Sequence, residues 1–382
     1  MKILNVNMSL DQVRGGGSTE RTLQISRSLV KAGHQVTVLS ADAGLSPKNT
    51  HQEERRGLKI VALPSLWERF YVPKPSQALV MKLVQDADIV HLMSHWTLIN
   101  VLAYRAVKVC AKPYVVCPAG ALPIYGRSKI LKKLYNQFFG RELVRHANAC
   151  IAISTNEIEQ FETYGIQAVK VSVIPNGINP DDFPESDGSG LRVTLGIGDE
   201  PVILFVGRLN FIKGPDLLLE AFCRCNQDGR LKGYHLVFAG PDEGMLQGLK
   251  RMASECGLNG RVHFTGHISG TERSDAYRAA DFLVIPSRQE AMSIVVLEAG
   301  VTATPVLITD RCGFEDVAEV GGGMVVSATV DGLQRGLAEM LQDKNSLPTM
   351  GAKLKAHVTA HFTWDTITER YIALYKEILS SE

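Results

Sequence analysis

The chain has 382 residues, more than one hydrophobic core usually supports, so two domains are expected. Hydrophobic residues make up 45% and charged residues 21%, a balance that excludes a disordered chain. The formal net charge of +1 gives no general attraction to nucleic acid, which is therefore not expected as a partner. Any electrostatic partner has to be sought in local clusters of charge.

The N-terminal half alternates short strand-like runs with helical segments. The opening "MKILNVNMSL" lacks the apolar core of a signal peptide and predicts a first strand. Further strands are predicted in "QVTVLSA", "DADIVHL", "PYVVCP", "ACIAIS" and "KVSVIP". This alternation predicts a parallel sheet with helices on both faces.

A glycine-rich turn follows the first predicted strand, where Gly15 to Gly17 lead into the helical run "STERTLQIS". Backbone N–H groups at such a turn, together with about half a positive charge from the helix dipole, favour a phosphate. The run matches neither GxGxxG nor a P-loop. The alternative is a flexible turn with Ser18 or Thr19 as the helix cap.

A basic amphipathic segment, "GRSKILKKLYNQFFGRELVRHA", lies later in the same half. Its basic residues are Arg127, Lys129, Lys132, Lys133, Arg141 and Arg145, against the single acid Glu142. Its interleaved apolar residues are Ile130, Leu131, Leu134, Phe138 and Phe139. The pattern predicts contact with an anionic membrane surface near a lipid-linked acceptor; the alternative is a solvated helix whose apolar side lies in the core.

The stretch from Asn176 to Gly190 is rich in Gly, Pro, Asp and Ser and has the composition of a linker. We therefore predict an N-terminal domain over residues 1–178 and a C-terminal domain over residues 191–362. The second domain repeats the alternation with "VILFVG", "YHLVFAG", "RVHFTG", "DFLVIPS", "TPVLITD" and "GGMVVS". Residues 363–382 form an amphipathic helix that is expected to pack back on the N-terminal domain.

Two cations follow the first strand of the second domain, in "GRLNFIKGPDLLLEAF". Arg208 and Lys213 occupy the loop before a clear amphipathic helix. At the carboxyl end of a strand they could clamp a diphosphate, Arg208 through its fork and Lys213 as a point charge. The alternative is that both are ordinary solvated surface residues.

The stretch "RQEAMSIVVLEAG" places Glu290 and Glu298 on either side of seven uncharged residues between two predicted strands. Parallel neighbours need a crossover helix, here beginning near Ser293 despite three β-branched residues. The two carboxylates are then several ångströms apart. That separation suits contacts with two different parts of one extended ligand better than a pair that shares a proton. The N–H groups of Ser293 and Ile294 would face an anion between them. Alternatively, Glu290 only compensates the helix dipole and Glu298 ends on the surface.

Cysteine and histidine patterns give no metal site. The seven cysteines include no CxxC pair, and Cys223 and Cys225 face different ways on a helix, so reduced thiols in a cytosolic setting are expected. His357 and His361 have metal-ligand spacing without an obvious third ligand and are expected at the surface. No apolar run reaches membrane-spanning length, so the chain is expected in the cytoplasm, peripheral to the inner face of the membrane.

In combination, these stretches resemble glycosyltransferase family 4, the retaining nucleotide-sugar transferases, over nearly the whole chain. The resemblance is carried by Gly15 to Gly17, "VIPNGIN" followed by Phe183, "FVGRLNFIKG", "FAGP", "VHFTGHI" and the E-x7-E pair Glu290 and Glu298. It implies the GT-B fold, in which two Rossmann-like α/β domains face each other across a cleft.

The resemblance also implies catalytic roles. Glu290 would contact the hydroxyls of the donor sugar, and Glu298 would hold the ribose of the nucleotide. Arg208 and Lys213 would neutralise the departing diphosphate, so that neither a metal nor another cofactor is needed.

Further donor contacts follow from the same resemblance. Gly266, His267 and Ile268 would meet the base through backbone groups. Gly16 and Gly17 would approach the phosphates from the other side of the cleft.

Three departures from the family pattern concern the sugar pocket and its surroundings. Ala291 to Ser293 replace a small glycine-containing segment, and Ala119 stands where many relatives carry a sugar-contacting histidine. His91 and His95 follow another strand. Either they face the cleft, or they are ordinary core or surface histidines. Asp316 replaces a glutamate after "CGF".

The predicted activity is that of a hexosyltransferase. It would move a sugar from a UDP- or GDP-linked donor to a glycan or lipid-linked acceptor, in surface polysaccharide, lipopolysaccharide or glycolipid biosynthesis. The alternatives are a nucleotide-sugar epimerase, a phosphorylase, or a non-catalytic nucleotide- or carbohydrate-binding protein. A dehydrogenase is disfavoured because neither half contains GxGxxG.

Overall fold

The structure, a computed structural model, describes residues 1–11, 16–68, 71–124 and 128–381. Its contacts divide the chain into two compact units. Unit 1 comprises Met1–Asn176 with Trp364–Glu382, and unit 2 comprises Gly177–Thr363. Gly15 of the glycine-rich turn and Arg127 of the basic segment lie outside the described residues.

Unit 1 contains a seven-stranded parallel sheet. Its elements are β1 (Lys2–Ser9), α1 (Gly16–Lys31), β2 (Gln35–Ala41), α2 (Pro47–Arg55), β3 (Lys59–Leu63), β4 (Ser65–Trp67), β5 (Val72–Pro73), α3 (Gln77–Asp86), β6 (Ile89–Met93), α4 (Leu98–Cys110), β7 (Tyr114–Cys117), α5 (Lys129–Tyr135), α6 (Arg141–Arg145), β8 (Ala149–Ala152), α7 (Ile158–Glu162) and β9 (Val171–Val173). The strand order is β3-β2-β1-β6-β7-β8-β9, and β4 and β5 form a separate antiparallel pair.

Unit 2 contains a six-stranded parallel sheet of order β12-β11-β10-β13-β14-β15. Its elements are α8 (Ser189–Leu195), β10 (Val202–Val206), α9 (Pro215–Gln227), β11 (His235–Ala239), α10 (Leu246–Glu255), β12 (Val262–Gly266), α11 (Gly270–Ala279), β13 (Phe282–Ile285), α12 (Ile294–Val301), β14 (Val306–Thr309), α13 (Asp316–Glu319), β15 (Gly323–Val326), α14 (Val330–Met340) and α15 (Leu347–His361). The chain ends with α16 (Trp364–Ser380), which belongs to unit 1.

The predicted alternation of strands and helices is confirmed in both units. The central strands read as continuous apolar runs because helices cover both faces of each sheet; every residue of β6, for example, is buried. β3 was not predicted; it is an edge strand whose residues are mostly half-buried. In each sheet the strand order reverses at one place, between β1 and β6 in unit 1 and between β10 and β13 in unit 2. Ligands of such sheets bind at the carboxyl ends of the strands that flank this reversal.

The C-terminal helix α16 packs on α1 through buried tyrosines. Tyr371 accepts a hydrogen bond from the guanidinium of Arg21 on α1, and Tyr375 lies 2.7 Å from Nδ1 of His91 on β6. At the solvent edge, Lys31 forms an ion pair with Asp365. The final helix is thus part of the core of unit 1.

A disulfide corrects one prediction. Cys223 on α9 is bonded to Cys256, directly after α10, with Cα atoms 5.9 Å apart, so the expectation of only reduced thiols is wrong for this pair. Cys225 faces away from it, toward the carbonyl of Gln334. Among the described helices, none is both long and apolar enough to cross a membrane.

Candidate functional site

The turns after β10 and β13 meet at the strand-order reversal of unit 2. Arg288, after β13, forms an ion pair with Asp216 at the start of α9, with 2.6 Å between Nη2 and Oδ2. Its guanidinium carbon also lies 3.9 Å from the ring centroid of Phe211. Gly214 has a positive φ of 67° and lies against the carbonyl of Pro286. These contacts fix the two turns against each other.

Lys213 and Glu290 form an ion pair at this junction, with 2.9 Å between Nζ and Oε1. The Glu290 side chain is only 9% exposed, and its carboxylate also accepts a hydrogen bond from Ser287. The Glu290 N–H donates to the carbonyl of Arg311, which holds the loop in place. Burying the Lys213–Glu290 pair carries a desolvation free energy that offsets the Coulomb attraction between the two charges. A contribution to stability alone therefore does not account for the pair.

Arg208 does not join that pair. Its Nη1 lies 2.8 Å from Glu243 Oε1, and Asn210 donates to the other oxygen of Glu243. Partial burial raises the pKa of Glu243, but these hydrogen bonds and the positive charge of Arg208 outweigh it and lower that pKa overall. Both partners are largely exposed, and such a pair contributes about 1 kcal/mol or less. Arg208 can therefore leave Glu243 for a stronger anion at little cost.

Helix α12 begins at Ile294, after Ser293, as the topology argument predicted. The Ser293 N–H donates to the carbonyl of Cys312, so it is not open to an anion, which corrects that part of the prediction. Its hydroxyl oxygen is buried without a hydrogen-bond partner among the described residues. Ile294, as the first helical residue, has no acceptor for its N–H within the helix.

Glu298 lies in the second turn of α12 and is 7% exposed. Its carboxylate contacts Tyr277 and Arg273, both on α11. The structure thus gives Glu290 and Glu298 separate partners, in keeping with two grips rather than one acid–base pair. The alternative in which Glu298 merely ends on the surface is therefore wrong.

The predicted base-contacting turn ends β12. Gly266 has φ of 74°, and its carbonyl accepts the N–H of Gly240. His267 and Ile268 line a cavity of about 540 Å³ together with Asp187, which precedes α8, and residues of α8 and α11, including Asp275. This cavity lies wholly within unit 2.

In unit 1, Gly16 and Gly17 begin α1. Ser18 and Thr19 hydrogen-bond across to the strands, Ser18 to Ser94 Oγ at 2.8 Å and Thr19 to the carbonyl of Ser9 at 2.9 Å. The start of α1 is therefore anchored to the carboxyl ends of β1 and β6.

His91 and His95 are both buried in unit 1. Burial lowers the pKa of His91 to about 3 and that of His95 to about 4. His95 Nε2 lies 2.9 Å from Oδ1 of Asn136, in a π-helical turn that joins α5 to α6. The structure places both histidines in the core of unit 1, one of the alternatives left open by the sequence.

Two further positions at which the sequence departs from the family pattern, Ala119 and Asp316, lie at polar contacts. Ala119 has φ of 49°, and the N–H of Gly120 beside it donates to the buried carboxylate of Glu157. Asp316 Oδ2 lies 3.4 Å from Nε2 of His357, which is partly buried rather than at the surface. Within the described ranges, no three histidine, cysteine or acidic side chains form a group that could hold a metal ion.

Sequence reasoning missed five side chains of this site: Ser287, Arg288, Glu243, Arg273 and Tyr277. The four-residue spacing of Arg273 and Tyr277 could have shown that they share one face of a helix. No signal in the sequence gives their common partner, because the partner lies on another helix. Ser287 directly precedes the stretch "RQEAMSIVVLEAG" and Arg288 is its first residue, but neither belongs to a motif of its own.

Comparison with known proteins covers both units. Residues 15–182 match the family model described as Glycosyltransferase Family 4, and residues 191–357 match that described as Glycosyl transferases group 1. An uncharacterized glycosyltransferase of Methanocaldococcus jannaschii is 26% identical, over 98% of each chain. The D-inositol 3-phosphate glycosyltransferase of Nocardia farcinica is 30% identical, over 63% of this chain and 54% of its own length.

Solved structures match over the full chain. Anabaena HepE in complex with UDP and glucose superposes with a TM-score of 0.78 at 20% identity, covering 100% of both chains. WaaG, a glycosyltransferase involved in lipopolysaccharide biosynthesis, gives a TM-score of 0.67 at 19% identity, covering 98% of this chain and 99% of its own. At these identities the likeness establishes the fold, and the predicted GT-B architecture is confirmed.

Proposed function

The chain belongs to the group 1 and family 4 glycosyltransferases of GT-B fold, and from that premise we propose that it transfers a hexose with retention at the anomeric carbon. The donor is a UDP- or GDP-linked sugar, and the acceptor is a hydroxyl of a glycan or lipid-linked glycan in surface polysaccharide, lipopolysaccharide or glycolipid synthesis. UDP in the HepE structures favours uracil among the bases. The observation that carries the proposal is the Lys213–Glu290 pair at the strand-order reversal of unit 2.

The cations act on the leaving group. Negative charge grows on the diphosphate as its bond to the anomeric carbon breaks, and a preorganised cation stabilises that charge. Lys213 moves from Glu290 to the diphosphate, and Arg208 leaves its weak pair with Glu243 to join it. These two side chains supply the charge that a metal would otherwise supply, so the proposed reaction uses no metal or cofactor.

The same movement frees Glu290 for the sugar. Once Lys213 contacts phosphate, the Glu290 carboxylate accepts hydrogen bonds from donor-sugar hydroxyls, while Ser287 keeps it oriented. The Ser293 hydroxyl and the Ile294 N–H at the start of α12 bind phosphate oxygens. Glu298 binds the ribose, and the backbone of Gly266 to Ile268 contacts the base. Roles for Gly16 and Gly17 at the phosphates remain predictions.

Substitution of the ion pair tests this assignment. Lys213→Ala and Glu290→Ala are each expected to reduce transfer by about 100-fold or more while the protein stays folded. Turnover is measured as nucleotide release from a panel of UDP-, GDP- and ADP-sugars with acceptor present, and folding by thermal unfolding. Lys250→Ala on the exposed face of α10 is the matched control and should keep wild-type turnover.

The products separate the alternatives. Turnover near the wild-type rate in either ion-pair variant would remove the site assignment. Isomerised sugar would indicate an epimerase, sugar phosphate a phosphorylase, and nucleotide binding without product a binding protein.

We further propose that the enzyme works on an anionic membrane surface. Helix α5 has no buried residue, and Ile130, Leu131, Leu134 and Phe138 are between 44% and 76% exposed. The alternative that these apolar side chains lie in the core is therefore wrong. Lys129, Lys133 and Arg141 beside them are exposed, and the ammonium of Lys132 lies 5.4 Å from the ring centroid of Trp96. Exposed apolar side chains among cations match the interface of an anionic bilayer, where a lipid-linked acceptor would be found.

Flotation with vesicles tests the membrane proposal. The wild-type protein should bind phosphatidylglycerol-containing vesicles more strongly than pure phosphatidylcholine vesicles, and less strongly as salt is raised. Leu131→Glu with Phe138→Glu should weaken that binding about tenfold or more. Val193→Glu, at an 80% exposed apolar site on α8, is the control and should bind normally. No flotation of the wild-type protein at either low or moderate salt would end the proposal.

A further inference from the structure

Two side chains of α11 hold the carboxylate of Glu298. The Tyr277 hydroxyl donates to Oε2 at 2.6 Å, and Arg273 Nη1 lies 3.3 Å from Oε1. Because Arg273 and Tyr277 are four residues apart, they project from the same face of the helix. Each oxygen of Glu298 therefore has its own partner.

Phe183 in turn supports both of these side chains. The guanidinium carbon of Arg273 lies 5.1 Å from the Phe183 ring centroid, and the Phe183 and Tyr277 rings meet edge to face at 6.1 Å. Phe183 and Tyr277 are buried, whereas the Arg273 side chain is 36% exposed. Phe183, which the family resemblance singled out without a role, thus helps to orient the guanidinium.

This arrangement keeps Glu298 an oriented acceptor. Burial, followed by the nearby Glu298 carboxylate, raises the pKa of Tyr277, so its hydroxyl remains a donor at neutral pH. An ionised carboxylate only accepts hydrogen bonds and can accept several, and the vicinal hydroxyl groups of a ribose are donors of the matching kind.

Burying a carboxylate in α12 is costly for a purely structural role. Neighbouring positions of this helix hold Val296, Leu297 and Ala299, and an apolar side chain at 298 would avoid the desolvation cost of the charge. The cluster is better explained if Glu298 binds a ligand and if Tyr277 and Arg273 position Glu298.

On this basis, and resting on the ribose contact of the proposed function, we infer that Arg273 and Tyr277 are positioning residues for ribose recognition. They hold Glu298 in the orientation in which its carboxylate accepts the 2′ and 3′ hydroxyls of the donor nucleotide. Neither residue takes part in the transfer step itself.

Calorimetric binding of free nucleotides to the full chain tests the inference without requiring turnover. UDP and GDP are each compared with their 2′-deoxy counterparts. The wild-type protein should prefer the ribonucleotide by about tenfold to a hundredfold, as expected for loss of one hydrogen bond to a charged acceptor. Tyr277→Phe and Arg273→Gln should reduce that preference to about threefold or less, mainly by weakening the ribonucleotide. Arg251→Gln on the exposed surface of α10 should keep the wild-type preference.

Binding by Glu298→Gln distinguishes failure of the ribose contact from failure of the positioning roles. If Glu298→Gln loses the preference while Tyr277→Phe and Arg273→Gln retain it, the positioning roles are overturned and the ribose contact stands. If the wild-type protein shows no preference, or Glu298→Gln keeps it, the ribose contact fails and the inference fails with it. Failure of the transfer proposal appears separately, as wild-type turnover in Lys213→Ala. Arg273→Gln, at a partly exposed position, keeps the test open should Tyr277→Phe fold poorly.

Discussion

His91 lies fully buried on β6, with Nδ1 2.7 Å from the hydroxyl of Tyr375. Burial, with a smaller contribution from the nearby Arg21 cation, lowers its pKa to about 3. An unfolded histidine takes up a proton near pH 6.5. Between about pH 6.5 and pH 3, His91 binds a proton in the unfolded chain but stays neutral in the folded protein. The free energy of unfolding therefore decreases as the pH falls through this range.

Replacing His91 should flatten this acid response. Between pH 6.5 and pH 4.5 the wild-type protein is expected to lose about 2 kcal/mol more free energy of unfolding than His91→Asn. Urea unfolding at both pH values measures the difference. His51→Asn, at an exposed position on α2, should keep the wild-type response. Equal losses in wild-type and His91→Asn would show that His91 does not stay neutral in the fold.

The partners of the site residues were less predictable than the residues themselves. Arg208, Lys213 and Glu290 were predicted from their residue types and their places after strands, and Glu298 from its spacing to Glu290. That Lys213 pairs with Glu290, and Arg208 with Glu243, was not. Pairing depends on the direction in which each loop presents its side chains, and no spacing along one loop contains that information.

At the scale of elements, Gly214 controls how closely two turns approach. A Cβ at Gly214 would lie 2.1 Å from the carbonyl oxygen of Pro286, and the turns concerned carry Lys213 and Glu290. Only glycine allows this contact together with φ of 67°. The ion pair at the site therefore depends on a residue that makes no polar side-chain contact.

Gly214→Ala should separate the two turns without removing a charge. We expect turnover to fall by about tenfold to a hundredfold, because a displacement near 1 Å can cost that much. Gly229→Ala is the matched control: Gly229 has φ of 74° near the other end of α9, but a Cβ there meets nothing within 4 Å. It should lose about 1 kcal/mol of stability to backbone strain and keep its turnover. Equal turnover in the two variants would contradict the proposed contact.

Elements whose hydrophobic pattern matches their burial in the fold were predictable. The buried strands of both sheets followed from apolar runs bounded by turns. β3 was not predicted, although the edge strands β9, β12 and β15, which are also mostly half-buried, were. Helix α12 shows the opposite case. Its Ile294, Val295 and Val296 favour a strand by propensity, yet β13 and β14 are parallel neighbours and require a crossover between them.

At the scale of the whole molecule, the chain leaves unit 1 at Asn176 and returns to it at Trp364. The composition of the linker predicted the first of these places. A C-terminal helix over residues 363–382 that packs on the N-terminal domain was also predicted, but its contacts were not. Tyr371 and Tyr375 of α16 meet Arg21 and His91, which lie hundreds of positions earlier in the sequence. An amphipathic pattern shows that a helix has an apolar face but not which surface covers it.

The sequence by itself determined the alternation of strands and helices, the division near residue 177, and the charged residues placed after β10 and β13. These features are local, because they depend on periodicity, turn composition and residue type within short windows. Tertiary structure alone decided that Tyr277 and Arg273 hold Glu298, that Cys223 is bonded to Cys256, and that the apolar side chains of α5 face solvent. Each of these depends on which surfaces meet once helices pack on a sheet, and that is a property of the assembled fold rather than of any one segment.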